Sequence, residues 1–240
     1  MIPYPHFLFF LFLIVTSAPD VKTILNRLET RYRCARTLKV TFLERYIENG
    51  RSVRIEAGIA YFRRPGKMRW EYESPEKNLF LVDGKSAWFY VPADHTVTRV
   101  PAKESTDWRT PFALLAGEMK VSRVCARVAP AINEKPESSN HVVLFCELRR
   151  AGPEAHKQGS PEPPLRMGDA GEAVFFEIAQ GSGELVRVFV REPGGVGVEF
   201  HFANWQADPH VDDSLFHFRA PPGVAIVNGE LPGGQAGANR

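Results

Sequence analysis

A stretch of aromatic residues and tight turns from Gly58 to Pro92 constrains the fold more than any other part of this 240-residue chain. Two turn signals divide it, Arg64-Pro65-Gly66 and Asp83-Gly84, and the segments between them are short and rich in aromatic or β-branched residues. Such segments between Gly- and Pro-containing turns are typical of consecutive antiparallel strands. The stretch therefore predicts three or four strands joined by tight turns.

The predicted strands carry apolar side chains on both faces. In residues 86–91, one face shows Ala87 and Phe89, and the other shows Trp88 and Tyr90. An antiparallel sheet with one face in water alternates apolar and polar residues instead. Something must therefore cover the second face, and the sequence leaves two candidates open: another layer of the protein or an apolar ligand.

Residues 1–18 are predicted to be a signal peptide. Phe7–Val15 is an apolar run of signal-peptide length, too short to span a bilayer, and Thr16-Ser17-Ala18 supplies small residues for cleavage. Pro19 disfavours a cut directly after Ala18, so cleavage after Ser17 and an uncleaved anchor both stay open. We expect export from the cytoplasm. Because no Cys follows the cleavage region, we do not expect a lipid anchor there.

Helical signals occur beside the strands. Pro19–Arg36 opens with a Pro-Asp helix start, and Trp108–Gly117 has Thr110-Pro111 as a start and Gly117 as an end. Residues 150–170 are predicted to be a flexible insertion and residues 228–240 a disordered tail. We expect one mainly β (α+β) domain over residues 19–227, with about eleven antiparallel strands. The first helix carries an apolar stripe at 3-4 spacing, formed by Val21, Ile24, Leu25, Leu28 and Tyr32.

The chain has three cysteines. Val121–Val128 and Val142–Arg149 are predicted strands, and a hairpin centred on the polar loop between them places Cys125 opposite Cys146. Facing residues lie within disulfide range, so we predict a bridge that contributes about 3 kcal/mol; two reduced, buried cysteines remain the alternative. Cys34 is expected to be a buried thiol on a helix.

Candidate catalytic and metal-binding residues are scarce. The net charge is +2 and the seven His show no metal-ligand spacing, so neither nucleic acid nor a metal is indicated. Phosphate-loop and G-x-S-x-G motifs are absent from the sequence. Glu71 and Glu73 share a strand face with Arg69, which favours a solvated, charge-balanced strand over an acid–base pair. We expect neither an enzyme nor a cofactor.

An ordered set of short motifs runs from the first helix to about Val227. The motifs are Gly58-x-Ala60-x-Phe62-x-Arg64-Pro65-Gly66-x-Met68-Arg69-Trp70, Leu81-Val82-Asp83-Gly84-Lys85, Trp88-Phe89-Tyr90-x-Pro92, Thr110-Pro111-Phe112-x-Leu114 and Phe216-x-Phe218-x-x-Pro221-Pro222-Gly223-Val224. This ordered set resembles the LolA family of periplasmic outer-membrane lipoprotein carrier proteins. The departures from the family are the insertion at 150–170, the cysteines and the tail, which leave cargo range and receptor open.

The resemblance implies an incomplete antiparallel β-barrel, closed by a lid of short helices over an apolar cavity. It implies a chaperone in the periplasm of a Gram-negative bacterium that carries acylated lipoproteins from an inner-membrane ABC transporter to an outer-membrane receptor. Relatives with this fold also act as acceptors or sensors, so a lipoprotein-binding module that does not shuttle stays open. We expect a monomer that binds no nucleic acid.

The resemblance also assigns roles to residues. Arg64 matches the family's Arg that bonds the lid's backbone carbonyls in the closed form, whereas its neighbour Arg63 is expected to be solvated. Met68 is a candidate contact for cargo or transporter, with core packing as the alternative. For the helices, a permanent core is the alternative to a movable lid. The residues expected in the acyl-chain cavity or lid are Ile24, Leu25, Leu28, Phe42, Phe62, Met68, Trp70, Leu81, Trp88, Tyr90, Phe112, Leu114 and Leu115.

Overall fold

The computed structural model describes residues 20–102, 112–117, 120–148, 173–191 and 194–229. The predicted signal peptide, the insertion at 150–170, Thr110-Pro111 and residues 230–240 lie outside this part of the chain. The described elements are α1 (Val21–Arg33), β1 (Thr37–Glu48), β2 (Arg51–Arg63), β3 (Lys67–Ser74), β4 (Leu79–Val82), β5 (Ser86–Val91), β6 (Thr96–Pro101), α2 (Ala113–Ala116), α3 (Val121–Val124), β7 (Cys125–Pro130), β8 (His141–Leu148), β9 (Ala173–Ala179), β10 (Leu185–Arg191), β11 (Val196–Ala207) and β12 (Ala225–Asn228), with 3₁₀ turns at Pro92–Asp94 and Asp213–Phe216.

The described strands form one open sheet in the order β12-β6-β5-β4-β3-β2-β1-β11-β10-β9-β8-β7. Long strands β1 and β2 are joined at Asn49-Gly50, where both residues have positive φ, as a type I′ hairpin requires. The mainly β fold is confirmed. The prediction of about eleven antiparallel strands misses β12, which pairs parallel with β6. Its four residues are exposed and lie next to a Gly-rich tail, so no alternation indicated a strand.

The sheet bends sharply around its inner face. Trp70 of β3 and Phe200 of β11 have ring centroids 5.3 Å apart, although β2 and β1 lie between their strands. Three strand spacings in a flat sheet would separate them by about 14 Å. The sheet therefore forms an incomplete barrel, and we call its concave face, lined by residues such as Phe42, Trp70 and Phe200, the trough.

Helix α1 lies against the trough through its apolar stripe. Asp20 caps its N terminus by accepting a hydrogen bond from the Thr23 amide at 2.8 Å. Ile24, Leu28 and Tyr32, four residues apart, are buried in the core. The helix ends at Arg33, earlier than the predicted Arg36.

Cys34 is exposed, so the expectation of a buried helical thiol is wrong. The residue is the C-cap of α1 and lies two positions beyond the buried Tyr32. Residues two apart point to different sides of a helix. The thiol therefore lies off the apolar stripe.

Val121–Val124 is a helical turn and not the first half of the strand predicted over Val121–Val128. The turn buries Val121 in the core, and Glu29 of α1 accepts a hydrogen bond from the Val121 amide at 2.8 Å. Burial against α1 thus outweighs the strand preference of the two valines. Strand β7 begins only at Cys125.

A disulfide joins Cys125 to Cys146, with Cα atoms 5.4 Å apart. The two cysteines do not face each other as the predicted hairpin required. Cys125 pairs with Leu148, and Cys146 pairs with Val128. A register shift between Cys125 and Arg127 makes the bridge diagonal across the hairpin.

The C-terminal segment, residues 208–224, covers the outer face of β3–β5. Phe218 stacks on Trp88 with ring centroids 5.1 Å apart and contacts Tyr90 at 5.8 Å. Phe216 is fully buried, and Arg69 donates to the Leu215 carbonyl at 3.0 Å. A layer of the protein, and not a ligand, therefore accounts for the second apolar face.

This layer moves three predicted cavity residues out of the trough. Leu81 and Trp88 pair across β4 and β5, and Tyr90 is two residues beyond Trp88, so all three share the outer face. Alternate side chains of a strand point to opposite faces, and Phe80 and Ala87 occupy the inner one. Their assignment to the cavity is wrong.

Candidate functional site

The trough is filled by a cluster of aromatic rings centred on Trp70, which is fully buried. Its ring centroid lies 4.9 Å from Phe42, 5.5 Å from Phe62, 5.0 Å from Phe112 and 5.3 Å from Phe200. Most of these rings meet edge-on or tilted, as aromatic pairs prefer. The inner face of the barrel is therefore a continuous apolar surface supplied by separate strands.

Phe112, Leu114 and Leu115, in and beside α2, are buried in this cluster. Phe112 is central, with ring centroids 4.9 Å from Phe200 and 5.5 Å from Phe202. The helix itself has four residues, and its Ala116 carbonyl accepts a hydrogen bond from the Gly66 amide at 2.8 Å. A very short element thus fills the centre of the trough. We call α1 and α2, with Phe112, the lid.

Most of the predicted cavity and lid residues meet in this interior. Leu25 is half-buried and packs at its edge, whereas Leu81, Trp88 and Tyr90 lie on the outer face. Met68 is buried and pairs with Phe62 and Val82, a placement that agrees with its packing alternative. The interior holds Ile24, Leu28, Phe42, Phe62, Met68, Trp70, Phe112, Leu114 and Leu115.

Arg64, in the β2–β3 turn, reaches the C terminus of α1. Its Nη2 donates to the Tyr32 carbonyl at 2.9 Å, and its Nη1 donates to the carbonyls of Arg33 and Ala35, the latter at 2.6 Å. The last carbonyls of a helix lack partners within the helix and carry its negative dipole end, which suits a guanidinium. Burial lowers the pKa of Arg64, and the nearby Asp208 partly offsets this effect.

Arg63 is not solvated, contrary to the expectation. Only 13% of its side chain is exposed, and it forms an ion pair with Asp213. Its guanidinium lies 4.9 Å from the Phe216 ring and donates to the Val211 carbonyl. Strand alternation points Arg63 outward, where it holds the C-terminal segment.

The β9–β10 turn supports α1 in a way that the sequence did not indicate. The Leu185 amide donates to the Tyr32 hydroxyl at 3.0 Å, and Arg27 donates to the Gln180 carbonyl at 2.6 Å. Gly183 has φ +70°, and a Cβ there would lie 2.5 Å from the Arg27 carbonyl carbon. The only advance signal was a Gly-Ser-Gly turn, which does not reveal its partner.

One end of the trough is polar. Glu44 is fully buried, and its carboxylate accepts a hydrogen bond from the Tyr72 hydroxyl. Glu56, directly across from Glu44, is also buried and forms an ion pair with Arg54. Glu44 is two residues beyond Phe42 in β1, so both side chains lie on the same face of the strand. The apolar interior therefore ends at paired polar groups.

A groove of about 450 Å³ separates α1 from α3 and β7. The Glu29–Val121 hydrogen bond lies beside it, and the core residues Val121 and Cys125 contribute to its floor. It follows the line where the helices meet. Its lining is Val21, Lys22, Leu25, Asn26, Glu29, Val121, Ser122, Cys125, Ala126, Arg127 and Val128.

Across the described residues, no group of three or more His, Cys, Asp and Glu side chains could hold a metal ion. Among the same residues, no helix has the length and apolarity needed to cross a membrane. The interior therefore offers a ligand an apolar surface. The helices that cover this surface are held in place by a few polar contacts.

Known proteins resemble this chain at the level of sequence. The family model described as outer membrane lipoprotein carrier protein LolA matches residues 34–137. The outer-membrane lipoprotein carrier protein of Nitrosospira multiformis is 26% identical over 228 residues, covering 92% of this chain and 97% of that protein. Its namesake in Methylococcus capsulatus is 26% identical over 204 residues, covering 84% and 86%.

A solved structure shares the fold. An uncharacterized conserved protein from Thermus thermophilus superposes with a TM-score of 0.50 at 13% identity, covering 86% of this chain and 98% of that one. At this identity the likeness speaks for the fold alone.

Proposed function

We propose that this chain, which resembles the LolA family of outer-membrane lipoprotein carriers, is a periplasmic chaperone that carries lipoproteins between membranes. The acyl chains of the cargo take the place of the lid side chains in the trough. Carriage is also what the names of its relatives state. The proposal assigns the chain no catalytic step.

The position of Phe112 carries this proposal. The ring lies in the middle of the aromatic cluster, yet it precedes a helix of only four residues. Withdrawing so short an element exposes the rings beneath it without breaking the sheet. An acyl chain gains about 0.8 kcal/mol per buried methylene in a membrane, so a carrier needs a comparable apolar surface. The rings around Trp70 supply one.

Release follows from competition for that surface. When cargo leaves, Phe112 and the apolar stripe of α1 return to the trough and keep it from water. The Arg64 hydrogen bonds stabilise α1 in this closed form. Closure thus favours the empty carrier, and delivery is the exchange of acyl chains for lid side chains.

Two membrane partners follow from the proposal. An inner-membrane ABC transporter would load the carrier, and an outer-membrane receptor of a Gram-negative bacterium would unload it. Both exchanges are expected at the lid, because the trough is covered there. The cargo is an acylated lipoprotein, and the carrier acts as a monomer.

Brominated acyl chains can locate the cargo. We would prepare two variants, one retaining only Trp70 and one retaining only Trp88, which lie on opposite faces of the sheet. A synthetic lipopeptide with brominated palmitoyl chains is expected to quench Trp70 fluorescence and to leave Trp88 unaffected. Circular dichroism would check that both variants fold.

The same experiment can defeat the proposal. Equal quenching of the two variants would show that the lipid does not bind preferentially in the trough. Absence of quenching from both folded variants would show that the protein does not bind acyl chains. Mass spectrometry of native protein from the periplasm supplies independent support if acylated peptides co-purify.

A further inference from the structure

The indole N–H of Trp70 is a hydrogen-bond donor in an apolar environment. The residue is fully buried, and its indole Nε1 has no hydrogen-bond acceptor within the part of the chain that the structure describes. Buried donors are nearly always paired, because an unpaired one has lost water without replacement. A phenylalanine would supply apolar surface without this cost. The nitrogen therefore needs an explanation.

The position of the ring suggests one. Trp70 is surrounded by Phe42, Phe62, Phe112 and Phe200, of which Phe112 belongs to the lid. Two other aromatic donors of the interior have acceptors within the protein. The Tyr72 hydroxyl, two residues along the same strand, donates to Glu44, and the indole nitrogen of Trp205 donates to the Leu185 carbonyl at 3.0 Å.

We propose that the Trp70 indole N–H donates a hydrogen bond to the carbonyl oxygen of an acyl ester or acyl amide on the bound cargo. This inference rests on the proposed function, because the acceptor arrives with the acyl chain after Phe112 withdraws. An acyl chain is hydrocarbon apart from its carbonyl linkage, which is the acceptor that it brings into an apolar trough. Trp70 then distinguishes acyl groups from plain alkyl chains of equal length.

Two amphiphiles with the same headgroup test this selectivity. The probes are the lauroyl ester and the dodecyl ether of tetraethylene glycol, which differ in the carbonyl. A neutral hydrogen bond contributes about 0.5–1.5 kcal/mol, so the unchanged protein is expected to bind the ester about two- to twelvefold more tightly. Trp70→Phe is expected to abolish this preference while still binding the ether.

Trp205→Phe is the matched control. Trp205 belongs to the same aromatic interior, 5.4 Å from Phe202, but its nitrogen is already bonded within the protein. This variant is expected to keep the ester preference even if its stability falls. A chain with benzothienylalanine at position 70, which keeps the ring shape and lacks the N–H, provides a second test should Trp70→Phe fold poorly.

The outcomes separate the inference from the proposed function. An ester-to-ether ratio that stays unchanged in Trp70→Phe, or in the benzothienylalanine chain, overturns the inference while acyl binding stands. Loss of preference in Trp205→Phe as well also overturns it, since the effect would then come from packing. Failure of the unchanged protein to bind either amphiphile overturns the proposed function together with the inference.

Discussion

Arg64 donates a hydrogen bond to the main-chain carbonyl of Tyr32, 2.9 Å away, and so joins the β2–β3 turn to the last turn of α1. Tyr32 is also the deepest polar residue of the helix, with its hydroxyl bonded to the Leu185 amide and its pKa raised by burial. One helix end is thus held from both sides of the sheet. In the proposed mechanism, these contacts would set how readily α1 leaves the trough.

Arg64→Leu is expected to bind cargo and to release it about tenfold more slowly. Hydrogen bonds from a charged group contribute about 1.5–3 kcal/mol each. If lid closure accompanies release, losing about 1.4 kcal/mol of this stabilisation from the transition state slows release tenfold. Transfer of a fluorescent lipopeptide from the loaded protein to acceptor vesicles measures the rate.

Arg63→Leu is the matched control for this prediction, since Arg63 precedes Arg64 but contacts Asp213 and Phe216 on the outer face. It is expected to loosen the C-terminal segment and to release cargo at the normal rate. Normal release by Arg64→Leu, or equal slowing in both variants, would contradict the role of Arg64 in closure.

Phe112→Ala is expected to lower the free energy of unfolding by about 3 kcal/mol and to tighten acyl binding. Removing a buried Phe side chain typically costs about 3–5 kcal/mol through lost burial and a cavity. Here the cavity would lie where cargo is proposed to bind, so an acyl chain no longer has to displace a ring. Urea unfolding and titration with a fluorescent fatty acid measure the two effects.

Phe216→Ala tests whether that gain is specific to the trough. Phe216 is also fully buried, but under the outer face. A similar loss of stability with unchanged lipid affinity is expected. If both variants bind lipid more tightly, general loosening of the fold explains the effect, and the lid assignment of Phe112 is wrong.

Gly183→Ala is expected to move α1 away from the sheet. The new Cβ would lie 2.5 Å from backbone atoms of Arg27, and the positive φ of +70° adds strain. Gly181→Ala, in the same turn, meets nothing within 4 Å and should be nearly neutral. Hydrogen exchange of the α1 amides should accelerate in the first variant alone. Equal protection in both would show that the turn does not position the helix.

Several elements could be predicted because the residues that determine them are close together in the sequence. The turn signals Arg64-Pro65-Gly66 and Asp83-Gly84 predicted the breaks between β2 and β3 and between β4 and β5. The 3-4 spacing of Ile24, Leu28 and Tyr32 predicted the buried stripe of α1. Arg64 was singled out by its motif. Its three acceptors on α1 were not predictable individually, because they depend on where the helix ends.

Long-range packing accounts for what the sequence did not reveal. The sequence predicts Trp88 and Tyr90 in the cavity because a strand with apolar residues on both faces does not reveal which face points inward. Phe218, more than a hundred residues away in the chain, decides the matter. Val121 likewise reads as strand until α1 is present to bury it. Such outcomes depend on tertiary partners, which override local propensity.

Removing the disulfide is expected to lower stability by about 3 kcal/mol. The bridge spans 21 residues, and a loop of that length constrains the unfolded chain by about this amount. Cys125→Ala combined with Cys146→Ala, compared with the unchanged protein in urea, measures the loss. Because Cys34 is outside the bridge, Cys34→Ala should leave stability unchanged, and a loss there would contradict the pairing.

Acid should remove a stabilising contribution from Glu199 on the outer face. The imidazole of His201, 3.6 Å from the Glu199 carboxylate, followed by Arg45 and Arg187, lowers the pKa of Glu199 from 4.5 to about 2 despite burial. A carboxyl group whose pKa is lower in the folded state stabilises the protein fully above about pH 4.5, and this contribution is lost as pH falls through about 2. Glu199→Gln lacks it at every pH. The difference in unfolding free energy between the two proteins should therefore be largest near neutrality and shrink between about pH 4.5 and 2. A difference that stays constant over that range would show that the charge of Glu199 is not stabilised by these neighbours.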